Sequence, residues 1–318
     1  MKSILFAWQS LAALALATFF GNALAAPFAY VPNEKSGTIS VIDTATRRVE
    51  ATIVTGGAPR GLAVSADGRR IYVSDKHANG LVVIDLEARQ VLNRIPLGES
   101  PEGVSLSPDG RWVVAAVEVS NSVVFIDTAT GGIAFSIRTS GKNPEHAVFS
   151  PDGRWLYVSA EDADSVDVID VAVRREIASI KVGERPRGIG FLPDGSRAYV
   201  ACELASTVYA IDVARQAVIA TIKTGEYANG VAVSADGKRV FVSNGRAMTV
   251  SAIDPVSNQV VGNVAVGKRP WGLTVTPDFK SVYVANGRSN SVSVIDAVSM
   301  QITETIAVGE LPWGVAIR

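Results

Sequence analysis

One interval governs this chain. The dipeptide Ile-Asp returns with its Asp at Asp43, Asp85, Asp127, Asp170, Asp212, Asp254 and Asp296, every 42 residues with a single step of 43. An aromatic residue followed by Val keeps the same step, at Tyr30, Tyr72, Tyr157, Tyr199, Phe241 and Tyr283, and Val114 takes the aromatic place in the remaining copy. A third marker, Pro-x-Gly, starts at Pro59, Pro101, Pro186, Pro270 and Pro312; Ala228 replaces its Pro once and His146 replaces its Gly once. Three markers in one register mean seven copies of one unit. A fixed period of this length decides the architecture before any local reading does.

Within a copy the pattern is four short strands. Residues 59–98 carry β-branched runs at Gly61–Ser65, Arg70–Asp75, Leu81–Leu86 and Val91–Leu97, divided by Gly, Asp, Asn and Pro. That is hairpin chemistry. No stretch after the first residues holds a helical period. Four antiparallel strands in about 42 residues is the size of a propeller blade. The fold class expected is therefore all-β, a seven-bladed β-propeller. Its last blade is closed by joining strands two to four at the N-terminal end (28–55) to strand one at the C-terminal end (314–317). Closure removes exposed end blades, which an open array would have to cap.

The consensus is carried by Val41-Ile42-Asp43-Thr44-Ala45-Thr46, Val182-Gly183, Pro186-Arg187-Gly188, Val231 to Gly237 and Tyr283-Val284-Ala285-Asn286. It closely resembles the YVTN family of seven-bladed β-propellers over residues 28–318. It is also similar to propellers associated with PQQ-dependent catabolism and to those of cytochrome d1 type. The resemblance implies the fold strongly and the function weakly, because function resides in the site rather than the scaffold.

The opening of the chain reads as an address. Lys2 precedes an apolar run from Ile4 to Phe20, Gly21 and Asn22 break it, and Ala23-Leu24-Ala25 is a small-x-small cleavage pattern. The expectation is a signal peptide over residues 1–25, followed by one propeller domain, 26–318, in the periplasm or outside the cell. Composition sets the outer limits. Lys and Arg number 30 against 31 Asp and Glu, so a uniformly basic nucleic-acid or membrane surface is excluded. One cysteine and two histidines exclude a disulfide framework, a multi-cysteine metal site and a His-rich centre. No C-x-x-C-H occurs, so covalent c-type haem is excluded too. No cofactor is assigned, and a monomer is expected.

Candidate functional residues lie where the repeat varies between constant neighbours. The x of Pro-x-Gly falls near the mouth of the central channel and reads Arg60, Glu102, Glu145, Arg187, Asn229, Trp271 and Trp313. This polar and aromatic ring is the candidate ligand or partner surface. The same face divides into an acidic arc, including Glu118, Glu145, Glu161 and Glu203, and a basic arc, including Lys35, Arg60, Lys76, Arg246 and Arg269. Such a bipolar face would orient a protein partner or a small anionic ligand. His146, beside Glu145 and following the one extra residue of the repeat, is the candidate general acid or base. With Glu145 and Glu118 it is also the candidate for holding a divalent cation. Cys202 occupies a strand-end place filled elsewhere by Asn or Asp. Trp112 and Trp155 open second strands and read as packing residues.

Three functions follow. The leading one is a binding or scaffold propeller that presents its channel face. The second is a propeller enzyme of lactonase or lyase type using the acidic, His-containing arc; no catalytic motif stands out, so catalysis stays open. The third is a single-stranded nucleic-acid binder using Trp271, Trp313 and neighbouring arginines.

Overall fold

The computed structural model describes residues 27–318; the expected signal peptide lies outside the described residues. Seven four-stranded antiparallel sheets make up the described chain. Blade 1 spans 28–54, and blades 2 to 7 span 59–96, 101–138, 144–181, 186–223, 228–265 and 270–307. Blade 1 obtains its innermost strand from Ala316–Ile317, which pairs with Ala29 and Tyr30. Asn33 and Pro312 add a further bridge. The expected closure is therefore present. The expected absence of helix holds among the described residues, apart from one 3-10 turn at Glu161–Ala163.

Each sequence marker has a physical office. The Ile of Ile-Asp is buried in the core, as at Ile42, Ile84 and Ile126. The Asp that follows ends the third strand and folds the chain back. Asp43 Oδ1 accepts the backbone N–H groups of Ala45 and Thr46, and Asp127 does the same for Ala129 and Thr130. This is an Asx turn, which a short acidic side chain makes cheaply. The aromatic of the second strand fills the space between blades: Tyr157 is fully buried and meets Phe191 of the next blade edge-on at 4.9 Å. Where Val114 leaves that volume empty, Phe125 on the adjacent strand supplies it, stacked on Phe135 at 4.5 Å and edge-on to Trp112 at 6.3 Å.

Pro-x-Gly sits on the innermost strand of each blade, and here glycine is demanded by approach. A Cβ on Gly61 would lie 2.5 Å from the Glu102 carbonyl oxygen, and one on Gly230 would lie 2.5 Å from that of Trp271. Inner strands of neighbouring blades thus touch backbone to backbone around the channel. The burial gradient follows. Second and third strands are almost wholly buried, whereas outer strands such as Gln90–Pro96 expose most positions. The second-to-third and fourth-to-first connections share one face, the mouth. The first-to-second and third-to-fourth turns share the other.

Candidate functional site

The mouth is built from two concentric rings. The inner ring is the x of Pro-x-Gly. Six of its seven members, Arg60, Glu145, Arg187, Asn229, Trp271 and Trp313, line one cavity of about 260 Å³. Glu102 does not reach it: its side chain is fully buried beneath Arg60. The outer ring is the residue that follows each second strand: Glu34, Lys76, Glu118, Glu161, Glu203, Gly245 and Gly287. Five of the seven are charged. The two glycines open the rim beside Trp271, whose ring lies where a Cβ on Gly287 would come within 2.8 Å. Sequence reasoning did not isolate this outer ring. Its signal was available, because it has the same 42-residue step and the same variability between constant neighbours.

The two rings lock together through ion pairs. Arg187 is the hub: it meets Glu145 at 2.5 Å, Glu161 at 2.6 Å and Glu203 at 3.1 Å. Arg185 adds contacts to Glu161 at 3.3 Å and Glu203 at 3.4 Å, and Arg269 reaches Glu203 at 2.7 Å. Asn143 donates to Glu161 at 3.1 Å. On the other side, Arg60 binds Glu102 and, at 2.8 Å, Glu34. Lys76 stands 3.3 Å from Glu102 and 4.0 Å from Glu118, and Ser100 donates to both carboxylates. The expected bipolar face is corrected at this point. Cations assigned to the basic arc, Arg60, Lys76 and Arg269, reach across to carboxylates of the acidic arc, so the mouth is a neutralised network. Burial enforces this, since charges withdrawn from water persist only when paired.

The network divides its acids by protonation. Burial, followed by the charge of Glu145, pushes the Glu161 carboxyl up to about 8. Burial and then the same neighbour raise Glu102 to about 7, against the pull of Arg60. Burial also opposes the Glu145 charge, yet Arg187 above all, with Arg60, outweighs it and holds that carboxyl below the usual range. Glu145 is therefore ionised, while Glu161 keeps its proton near neutrality. Paired acids driven apart in this way can act as acceptor and donor on one ligand.

His146 does not join the carboxylates. Burial, aided by Arg187 and opposed by Glu145, lowers its pKa, so the ring is neutral. It reaches into the channel where six other copies have glycine, and stacks on Trp313 from the far side at 5.4 Å with 21° between planes. Its Nδ1 is buried with no partner. This stack forms the boundary between the mouth cavity and a second cavity of about 160 Å³ in the channel below, since both residues line both. Of the expected cation ligands, Glu145 and Glu118 do converge, but with Glu102 as third member instead of His146. Arg60, Lys76 and Arg187 already place positive charge among these three carboxylates. Cys202 is buried, and burial pushes its thiol up to about 12.

Comparison with known proteins follows the same lines. Residues 172–317 match the family model described as lactonase, 7-bladed beta-propeller, and residues 16–107 match the YNCE-like beta-propeller model. No curated protein sequence matches the chain. Among solved structures, hydrazine synthase of Kuenenia stuttgartiensis is similar with 24% identity and TM-score 0.76, over 89% of this chain and 99% of that one. A 6-phosphogluconolactonase candidate from Bacteroides uniformis has 21% identity and TM-score 0.76, over 92% and 100%. Dihydro-heme d1 dehydrogenase NirN has 16% identity and TM-score 0.71, over 93% and 76%. At these identities the likeness is one of fold.

Proposed function

We propose that this seven-bladed β-propeller is a binding propeller whose mouth takes one small, oxygen-rich ligand, such as a hydroxy acid or sugar acid. The carrying observation is that six of seven ring positions converge on a single 260 Å³ cavity whose charged walls are already fixed by buried partners. Pre-set walls bind without the cost of ordering them. A cavity of this size lies below the usual range for drug-sized ligands, which favours a small molecule over a peptide or a nucleic-acid strand. Guanidinium and amide donors from Arg187, Arg269 and Asn229 suit carboxylate and hydroxyl oxygens, and the Trp271 indole offers an apolar face for C–H groups. Nucleic-acid binding has less support, because one face of Trp313 is already covered by His146. The basic, apolar, Ala-x-Ala opening of the sequence supports export, and the protein acts as a monomer in this reading.

A second reading, hydrolysis of a small lactone, is favoured by the split between ionised Glu145 and protonated Glu161 across Arg187, and by the lactonase model over 172–317. Glu145 would take a proton from water as it attacks the acyl carbon, and Arg187 would hold the resulting oxyanion. Glu161 would protonate the departing ring oxygen.

Gluconate and δ-gluconolactone test both readings. Gluconate is expected to raise the melting temperature of the wild type and to lose that effect in Asn229→Ala with Trp271→Ala. Faster lactone opening that is lost in Glu145→Gln, with gluconate binding retained, selects the enzyme. If neither compound moves the melting temperature and the lactone opens only at the buffer rate, both readings fail.

A further inference from the structure

We infer that the cleft between blades 3 and 4, on the face opposite the mouth, is a second binding site, for an organic oxyanion with an apolar body. The cleft is independent of the mouth and has a volume of about 370 Å³. Its floor is Trp112 and Phe135, in edge-on contact at 5.4 Å. Its walls carry Arg111, Arg154 and Arg174. Each guanidinium carbon sits over an aromatic ring: Arg111 over Trp112 at 4.4 Å, Arg154 over Trp155 at 4.3 Å, and Arg174 over Phe135 at 4.3 Å from the ring centre. Stacking uses the face of a guanidinium and leaves its N–H edge free. None of the three makes an ion pair or a side-chain hydrogen bond among the described residues.

The nearest acids, Asp109 and Asp152, feel the charges of Arg111 and Arg154 but form no ion pair with them, and Asp152 itself lines the cleft. Asp109 and Asp152 are committed to their own hairpin turns, where they accept Ser107 Oγ and Arg111 N–H, and Ser150 Oγ and Arg154 N–H. The repeat provides internal controls. In the matching cleft between blades 6 and 7, Lys238 lies 3.5 Å from Asp236, and Arg239 donates to a backbone carbonyl. Between blades 7 and 1, Lys280 lies 3.6 Å from Asp278. At the positions of Arg111 and Arg154 those clefts pair Lys238 and Lys280 with their turn aspartates, whereas Arg47, at the position of Arg174, lines the blade 7–1 cleft without an ion pair; the cleft of blades 3 and 4 gathers three unpaired guanidiniums over an aromatic floor. Three unpaired guanidiniums around one cleft can pair with a carboxylate or phosphate, which arginine binds bidentately. The aromatic floor requires that the anion carry an apolar body.

Calorimetric titration of the purified full chain with 2-naphthoate and with 1-naphthyl phosphate tests the proposal, with neutral 2-naphthamide as control. Saturable binding is expected for at least one anion, with the amide about tenfold weaker or more. Arg111→Gln with Arg174→Gln is expected to weaken anion binding about tenfold or more without lowering the melting temperature, and the Lys versions to recover part of it. Trp271→Ala, at the mouth, is expected to leave it unchanged. The proposal is overturned if neither anion binds, if the amide binds as well as the acid, if the double variant keeps full affinity, or if Trp271→Ala abolishes binding.

Discussion

The mouth and the opposite cleft use the same residue, arginine, in opposed ways. At the mouth Arg187 is mostly enclosed by three carboxylates, which balance its charge inside the protein while it still lines the cavity. In the cleft Arg111, Arg154 and Arg174 lie over buried or half-buried aromatic rings and form no ion pair. The first arrangement couples the charge to the stability of the fold. The second leaves it available to a ligand and nearly free of structural consequence.

The largest effect should separate the two regions outright. Arg187→Met leaves Glu145, Glu161 and Glu203 buried without their shared partner, and is expected to cost about 3–5 kcal/mol, because breaking a buried pair strands its charge. Arg154→Met, which removes only an exposed arginine's stacking on the half-buried Trp155, is expected to cost about 1 kcal/mol or less. Thermal unfolding of the two variants measures the contrast directly, and equal losses would erase it.

Next comes pH. Glu102 and Glu161 bind their protons more tightly in the folded chain than in the unfolded one, at about 7 and about 8. Their contribution is complete at low pH and is lost as pH rises through those values. The melting temperature should therefore fall from about pH 5 to about pH 8, between the ordinary carboxyl value and the raised ones. Glu161→Gln should flatten that fall and Arg154→Met should not. A slope unchanged in Glu161→Gln would show that the mouth acids titrate elsewhere. The smallest effect is expected at His146→Gly, which restores the residue of the other copies. Its stability change should stay within about 1 kcal/mol, since the ring leaves Nδ1 unsatisfied and its loss removes one buried polar cost along with one stack. Quenching of tryptophan fluorescence by acrylamide should nevertheless rise as Trp313 is uncovered, and should not rise when Trp313 is already Phe.

The fold was legible because each repeat marker is a local necessity stated seven times. Ile-Asp is a core residue plus a turn-forming carboxylate, and Pro-x-Gly is a strand that must approach its neighbour without a Cβ. The inner ring was legible for the same reason: its variable positions stand out against a constant frame. What joins that ring to others was not. Arg269 meets Glu203 across 66 residues, and such a pairing depends on side-chain reach that no period encodes. The two arcs thus looked like separate poles in one dimension and proved to be partners in three. The cleft escaped notice because Trp112 and Trp155 do pack, as expected, and only the unpaired state of the arginines above them distinguishes a binding floor from ordinary filling.

The pairing of Ala29 and Tyr30 with Ile317 and Ala316 also dictates an order of events. Blade 1 has three strands as soon as residue 54 is made, but its innermost partner arrives almost a whole chain later. Until then the inner edge of blade 1 stays unpaired, and the ring constrains neither the mouth nor the channel. The final closing contact must be made across nearly the entire sequence, so assembly is governed by the encounter of two distant segments, the slowest kind of contact for a chain to find. The mouth, which gathers residues from Arg60 to Trp313, is therefore complete only at that closure, whereas the cleft needs only blades 3 and 4.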